Sequence, residues 1–318
     1  MIRLIVYRLV AGGISLWLVS VVVFAATQAL PGNAALAILG QTATPERVAV
    51  LTQQLHLNTP VSSQYVQWLS GLLRGNLGTS LETQAPVNKL LAGPAMNSLI
   101  LVLLTATVAI PLSLSIGILS AVRRDHSFDH VVSVAMLTLA ALPEYVIGIG
   151  LVLLLGIGLI LHVLPAVSVI PPGQPPWRYP VMLVLPVITL VLAVTPYIYR
   201  SVRGSMVEVL DSEYVEMARL KGLRWRTVVM RHALPNAIAP ALQVTAVQLG
   251  WLAGGVVLVE YVFQYPGIGT ALVNAVANRD IPVVQTLTVM VGAVYVGVNV
   301  VADVVTILIT PRLRTGLR

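Results

Sequence analysis

Residues 211–235 read DSEYVEMARLKGLRWRTVVMRHALP, and this stretch decides how the rest of the chain is interpreted. It forms a polar, charged island between two long apolar runs. Seven of the nineteen Lys and Arg residues lie between residues 200 and 231. In a chain whose remainder is apolar, such a concentration of charge predicts a loop that leaves the membrane and faces a partner.

The first half of this island carries the start and stop signals of a short helix. Ser212 is a residue type typical of helix N-caps, and Glu213 and Glu216 fall in the first turn, where the helix dipole favours anions. Gly222 stands where a glycine commonly ends a helix. The sequence therefore predicts a helix over residues 212–221. A helix of this length is marginal alone, so it needs a surface: lipid or another protein.

The composition of the chain predicts a polytopic membrane protein. The chain has 318 residues, of which 57% are hydrophobic and 10% charged, and its mean hydropathy is +0.89. Soluble domains carry about 25% charged residues. The net charge is +7. We attribute it to cations beside the apolar spans, where they orient the chain and contact anionic lipid, and not to a surface that binds nucleic acid. The absence of cysteine excludes disulfides and thiolate chemistry within the chain.

Six apolar segments are long enough to be membrane-spanning helices of about 20 residues. They cover residues 9–30, 98–122, 131–161, 181–199, 237–259 and 281–309. The first is longer than the core of a signal peptide, so we interpret it as an uncleaved span. The third contains Pro143, where we expect a kink.

The distribution of cations orients these spans. With both termini inside, fourteen of the nineteen Lys and Arg residues fall on the cytoplasmic side, as the positive-inside rule requires. The predicted fold class is therefore an all-α membrane protein with six transmembrane helices, N-in and C-in.

This topology divides the chain into three parts. Residues 1–30 form an N-terminal transmembrane helix and residues 31–97 an external segment with short helices, near Thr44 and over 63–73. Residues 98–318 form a five-span core whose charged loop covers residues 200–236. Two further outer segments are predicted as a Pro-rich ordered loop without strands (164–180) and a turn-rich re-entry (264–280).

Polar residues within the apolar segments are candidates for function. Acids at mid-span cost about 2.5–3.5 kcal/mol on insertion scales and therefore face protein or water-filled cavities. For Asp303 we favour hydrogen bonding between helices, while Glu144 is a candidate for the transport pathway, where it would receive a ligand's ammonium group. The candidate residues are Glu144, Glu260, Asn299 and Asp303.

Catalytic and metal motifs are absent from the sequence. It contains no phosphate-binding loop, so any ATP-driven step needs a separate chain. It also lacks a nucleophile–base pattern and an H-E-x-x-H motif. His126 and His130 have metal-ligand spacing, but they lie in a short polar turn and are interpreted as solvated histidines. No catalytic or metal residue is predicted.

The island resembles the EAA loop of permease subunits of binding-protein-dependent ATP-binding-cassette importers. That pattern reads E-A-A-x3-G-x9-I-x-L-P, and this chain has EMA at 216–218, Gly222 and HALP at 232–235. The longer string EYVEMARLKG…VVMRHALPNA is similar to the dipeptide, oligopeptide and nickel permease branch. EYVFQYPGIG at 260–269 and NRDIPVVQ at 278–285 match further patterns of that branch.

The resemblance implies a type I importer membrane domain with a cytoplasmic coupling helix in a multi-pass cell-membrane protein. It implies coupling to the ATPase through Glu213, Tyr214, Glu216, Ala218, Lys221, Gly222, Leu234 and Pro235. It places an external solute-binding protein against the loop of Tyr265, Pro266, Gly267 and Gly269. The implied partners are ATPase subunits that hold ATP and Mg, a second homologous permease and the binding protein, with no cofactor in this chain.

The favoured function is the permease subunit of an importer for di- or oligopeptides. A nickel or other small-solute importer of the same family is the alternative. An ion-coupled secondary transporter would explain the buried acids but not the capped cytoplasmic helix. An intramembrane hydrolase would need a nucleophile and base that the sequence does not pair.

Overall fold

The computed structural model describes residues 2–29, 44–46, 59–156 and 163–309, and these residues are almost entirely helical. In chain order, the helices are α1 (Ile2–Gln28), α2 (Val61–Leu73), α3 (Val87–Val122), α4 (Ser127–Ala141), α5 (Glu144–Leu151), α6 (Pro180–Leu210), α7 (Glu213–Leu220), α8 (Leu234–Val262), α9 (Ile268–Ala277) and α10 (Ile281–Ile309). A π-helical turn, Val152–Gly156, continues α5, and a second one, Val228–Ala233, leads into α8.

Each predicted apolar segment is helical over its described residues, except for Ala29 at the end of the first segment and for Leu142 and Pro143 within the third. By length and composition, four helices suffice to cross a membrane, and up to six spans result if each of two bent helix pairs counts as one. The all-helical membrane architecture predicted from the sequence is thereby confirmed at this coarser level.

The predicted kink at Pro143 is a complete break between two helices. The axes of Ser127–Ala141 and the segment Glu144–Gly156 are bent by 106°. Leu142 is extended, with φ −93° and ψ 131°, because a residue that precedes proline is disfavoured in the helical region. Residues 157–162 of the predicted third span lie outside the described part of the chain.

Helices α3 and α6 extend furthest beyond their predicted spans. Helix α3 begins at Val87 and not at residue 98, and α6 continues to Leu210, so Arg200 and Arg203 lie on a helix and not in the predicted loop. The apolar run ends at residue 199 and set the predicted end there, but the helix ends at Leu210, with Asp211 as its C-cap beside the start of the next helix.

Helix α9 was not predicted and corrects the turn-rich interpretation of residues 264–280. The turn at residues 264–267 exists, but ten helical residues follow it. Its first backbone N–H groups bond to Ser98 and Glu260, which come from other helices. Because Ser98 is 170 residues away in the chain and Glu260 belongs to the preceding long helix, no signal next to Ile268 marked the start of α9.

The external helix predicted over residues 63–73 is α2, and it packs on α1. Phe24 of α1 meets the rings of Tyr65 and Trp68 at centroid distances of 5.3 and 5.6 Å, and the Ser20 and Tyr65 hydroxyls are 2.8 Å apart. Protein therefore covers one side of this helix. Most of the helix predicted near Thr44 lies outside the described residues.

The Pro-rich outer segment is ordered as predicted over its described residues. It contains a 3₁₀ turn, Pro176–Arg178, and no strand between residues 163 and 180. Ser168 fixes it to the bundle, because its N–H donates to the Phe263 carbonyl at 2.7 Å and its hydroxyl to the Met182 carbonyl at 2.6 Å.

Helix α6 is the centre of the main hydrophobic core. Its buried side chains pack with α3, α5 and α8, and the same cluster continues without interruption to Val215 and Ala218 of α7. A smaller cluster joins the start of α3 to α9 and α10. The short helix of the charged island is thus part of the core that contains the long helices.

Candidate functional site

Helix α7 forms where the sequence predicts it and ends as predicted. Ser212 occupies the N-cap position, but its hydroxyl donates backwards to the Val209 carbonyl at 2.5 Å and does not cap the helix. At the other end Gly222 adopts φ +75°. The Gly222 N–H donates to the Arg219 carbonyl at 2.9 Å, which closes the last turn.

The apolar residues of α7 separate into two faces. Val215 and Ala218 are buried, and they pack in one cluster with residues of α6 and of the Val228–Ala233 turn. Tyr214, Met217 and Leu220 remain exposed, with relative accessibilities of 45%, 54% and 74%. One face therefore attaches the helix to the bundle, and the other presents apolar side chains to a partner.

The remaining motif residues are mostly exposed. Glu213, Glu216, Lys221 and Pro235 are exposed, and Leu234 is half-buried at the start of α8. The Arg219 guanidinium lies 4.0 Å from the centroid of the Trp225 ring. This stacking connects α7 to the segment that leads into α8. Ala218 of the first motif half and Ala233 of the second belong to the same buried cluster.

Two ion pairs support the island from the neighbouring turn, and sequence analysis did not identify either. Arg203 binds the Asp129 carboxylate through Nε and Nη2, both at 2.6 Å. Arg124 reaches Asp211, the residue between α6 and α7, at 2.7 Å. Asp129 is buried and stands in the first turn of α4, and its polar neighbours in sequence gave no sign of burial.

Glu260 is fully buried and hydrogen-bonded on both carboxylate oxygens, and a pathway role for it remains a prediction. The Ser98 hydroxyl donates to Oε1 at 2.5 Å, and the Gly269 N–H donates to Oε2 at 2.6 Å. Ser98 in turn accepts the Ile268 N–H at 2.8 Å. The acid thereby joins α8, α3 and the start of α9, as the interpretation of hydrogen bonding between helices expects.

The loop predicted to face a binding protein surrounds this acid. Tyr265 is buried, and its hydroxyl donates to the Asn97 carbonyl at 2.8 Å, while Asn97 Nδ2 donates to the Pro266 carbonyl at 2.8 Å. Burial raises the pKa of the Tyr265 phenol above its ordinary value, so the hydroxyl stays a donor. A Cβ at Gly267 or Gly269 would overlap the Glu260 side chain. Contact between this loop and a binding protein stays a prediction.

The other intramembrane candidates lie apart from Glu260. Glu144 is the partly exposed first residue of α5 and has no hydrogen bond or ion pair among the described residues. Asn299 donates to the Tyr295 carbonyl of its own helix at 2.8 Å. Asp303 lies one turn later on α10, and its side chain is outside the described part. A pathway role for these residues remains a prediction.

Asp280 is a second buried acid that sequence analysis quoted only as part of a pattern. It accepts the Ser80 hydroxyl, and the Leu81 N–H donates to it at 3.1 Å. Beside it, Asn278 Nδ2 donates to Glu82 at 2.8 Å. These bonds fix the turn around residues 79–86 to the start of α10.

Comparison with known proteins assigns this arrangement to a family. Residues 113–315 match the family of binding-protein-dependent transport system inner membrane components, and residues 1–116 match the N-terminal region of such membrane components. The chain belongs to this family. The family assignment confirms a multi-pass membrane protein of a transport system, and its members serve transport and not catalysis.

The relatives that the chain resembles match it over most of its length. A probable peptide ABC transporter permease of Sinorhizobium fredii is 36% identical over 310 residues, 98% of each chain. The glutathione transport system permease of Salmonella choleraesuis is 32% identical over 314 residues, 99% of each chain. The metal-staphylopine import system permease of Staphylococcus aureus is 32% identical over 275 residues, 86% of this chain and 85% of that one.

Proposed function

We propose that this chain is the translocating permease subunit of an ATP-driven importer for peptides, and that α7 is its coupling helix. The observation that carries the proposal is the two-faced α7: Val215 and Ala218 join it to the bundle, and Tyr214, Met217 and Leu220 stay exposed. A short helix with an exposed apolar face at the charged end of a family member is suited to insert into an ATPase subunit.

The proposed topology has six spans with both termini in the cytoplasm and the fold of a type I importer membrane domain. Six spans are half of a pore, so we propose a second, homologous permease in a heterodimer. ATPase subunits would hold ATP and Mg, and an external solute-binding protein would deliver the substrate. The chain itself needs no cofactor and catalyses no reaction.

The packing of α7 gives this proposal a mechanical basis. Because Val215 belongs to the cluster that contains Met206 of α6, a displacement of α7 moves the end of α6 with it. Cores are close-packed and transmit strain. Closure of the ATPases on ATP would therefore shift the two-state equilibrium of the spans between inward-facing and outward-facing forms.

Met217→Asp is expected to weaken association with the ATPase without loss of the folded chain. A charge on the exposed face opposes an apolar contact, and an anchor residue in an interface contributes about 2 kcal/mol or more. We expect at least a tenfold loss of co-purified ATPase at equal amounts of permease, measured by quantitative pull-down from detergent.

Two controls make this test specific. Leu73→Asp alters an exposed apolar residue outside the island, at 80% accessibility on α2, and should leave the co-purified ATPase unchanged. Val215→Asp buries a charge and should lower the yield of the chain itself. Normal ATPase recovery with Met217→Asp would remove α7 from the interface.

The substrate class follows the relatives that cover the whole chain, which carry the names peptide and glutathione permease. The test measures uptake of labelled di-, tri- and oligopeptides by cells that express the complete importer. Cells in which this chain is deleted should lose peptide accumulation. The second candidate is a metal chelate, favoured by the metal-staphylopine relative. Loss of chelated nickel uptake with intact peptide uptake would select that candidate.

A further inference from the structure

We infer that the Asp129–Arg203 ion pair transmits the movement of the coupling helix to α4, and that both residues are therefore positioning residues for transport. The inference rests on the proposed function of α7 and adds a second transmission route to it. Its starting point is the geometry of α4, a helix held at one end and broken at the other.

The attachment of α4 to the bundle is concentrated at its first turn. Asp129 is its one buried residue, and the structure describes all of α4. Both Asp129 oxygens accept from Arg203, at 2.6 Å each. These two parallel hydrogen bonds fix the orientation of the Arg203 guanidinium relative to the Asp129 carboxylate as well as their separation. Because the Asp129 carboxylate is buried, separating the pair would leave a buried charge without a partner.

Beyond this first turn α4 is loosely packed against α6. One turn further on, a single hydroxyl pair, Ser133 and Tyr199, joins the two helices at 3.0 Å. A half-open pocket of about 310 Å³ lies between the two helices along this stretch, lined by Ser133, Met136 and Leu137 of α4 and by Pro196, Tyr199, Arg200, Arg203 and Gly204 of α6. Among the described residues the Asp129–Arg203 pair is the only charged contact between these two helices, so we expect it to dominate how α4 follows α6.

Arg203 lies on the same helix that enters the coupling helix. It precedes Asp211 by eight residues of continuous helix, which is about 12 Å at the rise of an α-helix. Met206 lies between them and is buried in the cluster that also contains Val215. A movement imposed on α7 therefore reaches Arg203 through two packed helical turns.

The far end of α4 is the 106° break before α5. Leu142 and Pro143 are extended there, and Glu144 is the first residue of α5. A pull on Asp129 would turn α4 about this break and so change the position of α4 relative to Glu144. Hinges of this kind are a few element-terminal residues that absorb backbone rotation.

The test compares transport with ATP hydrolysis in the assembled importer in proteoliposomes, using a labelled tripeptide. Asp129→Asn and Arg203→Gln are each expected to lower the peptide transported per ATP hydrolysed by about tenfold, with ATPase activity retained. The double variant should be no worse than either single variant, because both act through one contact. An unchanged ratio in assembled single variants would overturn the inference.

The neighbouring exposed pair supplies a matched control. Arg124 and Asp211 join the same two parts of the chain, but their side chains are 47% and 65% exposed, and exposed pairs contribute little. Arg124→Gln should keep the transport ratio within about twofold. A loss equal to that of Asp129→Asn would mean that any disturbance of this turn uncouples, and would overturn the specific role.

A covalent replacement tests the tether itself. The chain has no cysteine, so a double variant with Asp129→Cys and Arg203→Cys can be joined by a short bifunctional thiol reagent. Cross-linking should restore transport at least severalfold over the untreated double variant, and the same reagent on the unaltered complex should have no effect. Cross-linked complex that stays uncoupled would contradict the inference.

The outcome for α7 separates the two proposals. If Met217→Asp loses the ATPase while the Asp129 and Arg203 variants stay coupled, the second route is wrong and the proposed function stands. If Met217→Asp retains the ATPase and peptide uptake, the proposed coupling role of α7 is wrong, and this inference fails with it.

Discussion

Replacing Gly222 with valine is expected to uncouple the importer while leaving the chain in the membrane. Gly222 has φ +75° at the end of α7, and an L-residue in this region costs roughly 1–2 kcal/mol, more for a β-branched one. That strain opposes the tight turn after α7. We expect substrate uptake to fall about tenfold or more, measured in cells with the complete importer.

The surroundings of Gly222 show that conformation, and not space, sets this effect. A Cβ at this position would have no heavy atom within 4 Å. Asparagine tolerates positive φ, so Gly222→Asn is the matched control and should retain most uptake. Gly222→Asp has nearly the same shape as Gly222→Asn but adds a negative charge beside the proposed interface, so a comparison of these two variants isolates the effect of the charge. Full uptake by the valine variant would show that the turn is not needed for coupling.

The features that the sequence predicts correctly depend on residues that are close together in the chain. Long apolar runs identified the helices, and Ser212, Glu213 and Gly222 placed α7 to within one residue at each end. The extended backbone before Pro143 is likewise a property of neighbouring residues. In each case the deciding interaction spans only a few residues of chain, so the sequence pattern contains it.

The features that sequence analysis missed depend on distant partners. Helix α9 begins where Ser98 accepts one N–H and Glu260 another, and residues 98 and 268 are far apart in the chain. The burial of Asp129 depends on Arg203, on another helix. The division of α7 into two faces depends on what covers Val215, which periodicity alone does not reveal.

Glu260→Ala is expected to cause a large loss of stability. Two buried donors, the Ser98 hydroxyl and the Gly269 N–H, lose their acceptor, and each unsatisfied buried group costs about 1–3 kcal/mol. The removed side chain also leaves a cavity. We expect the apparent Tm of the purified chain, followed by tryptophan fluorescence in detergent, to fall by about 5–10 °C.

The pattern among variants identifies the cause of this loss. Glu260→Gln keeps one acceptor oxygen and should lose less, whereas Ser98→Ala removes the donor to Glu260 together with the acceptor of the Ile268 N–H and should fall between them. Glu144→Gln alters an acid without a partner in the described residues and should leave the Tm unchanged. Because Glu260 fixes α9 to α3 and α8, its loss should also expose the start of α9 to hydrogen exchange. An unchanged Tm and unchanged exchange in Glu260→Ala would mean that the loop of residues 264–269 is held by Tyr265 and Asn97 alone.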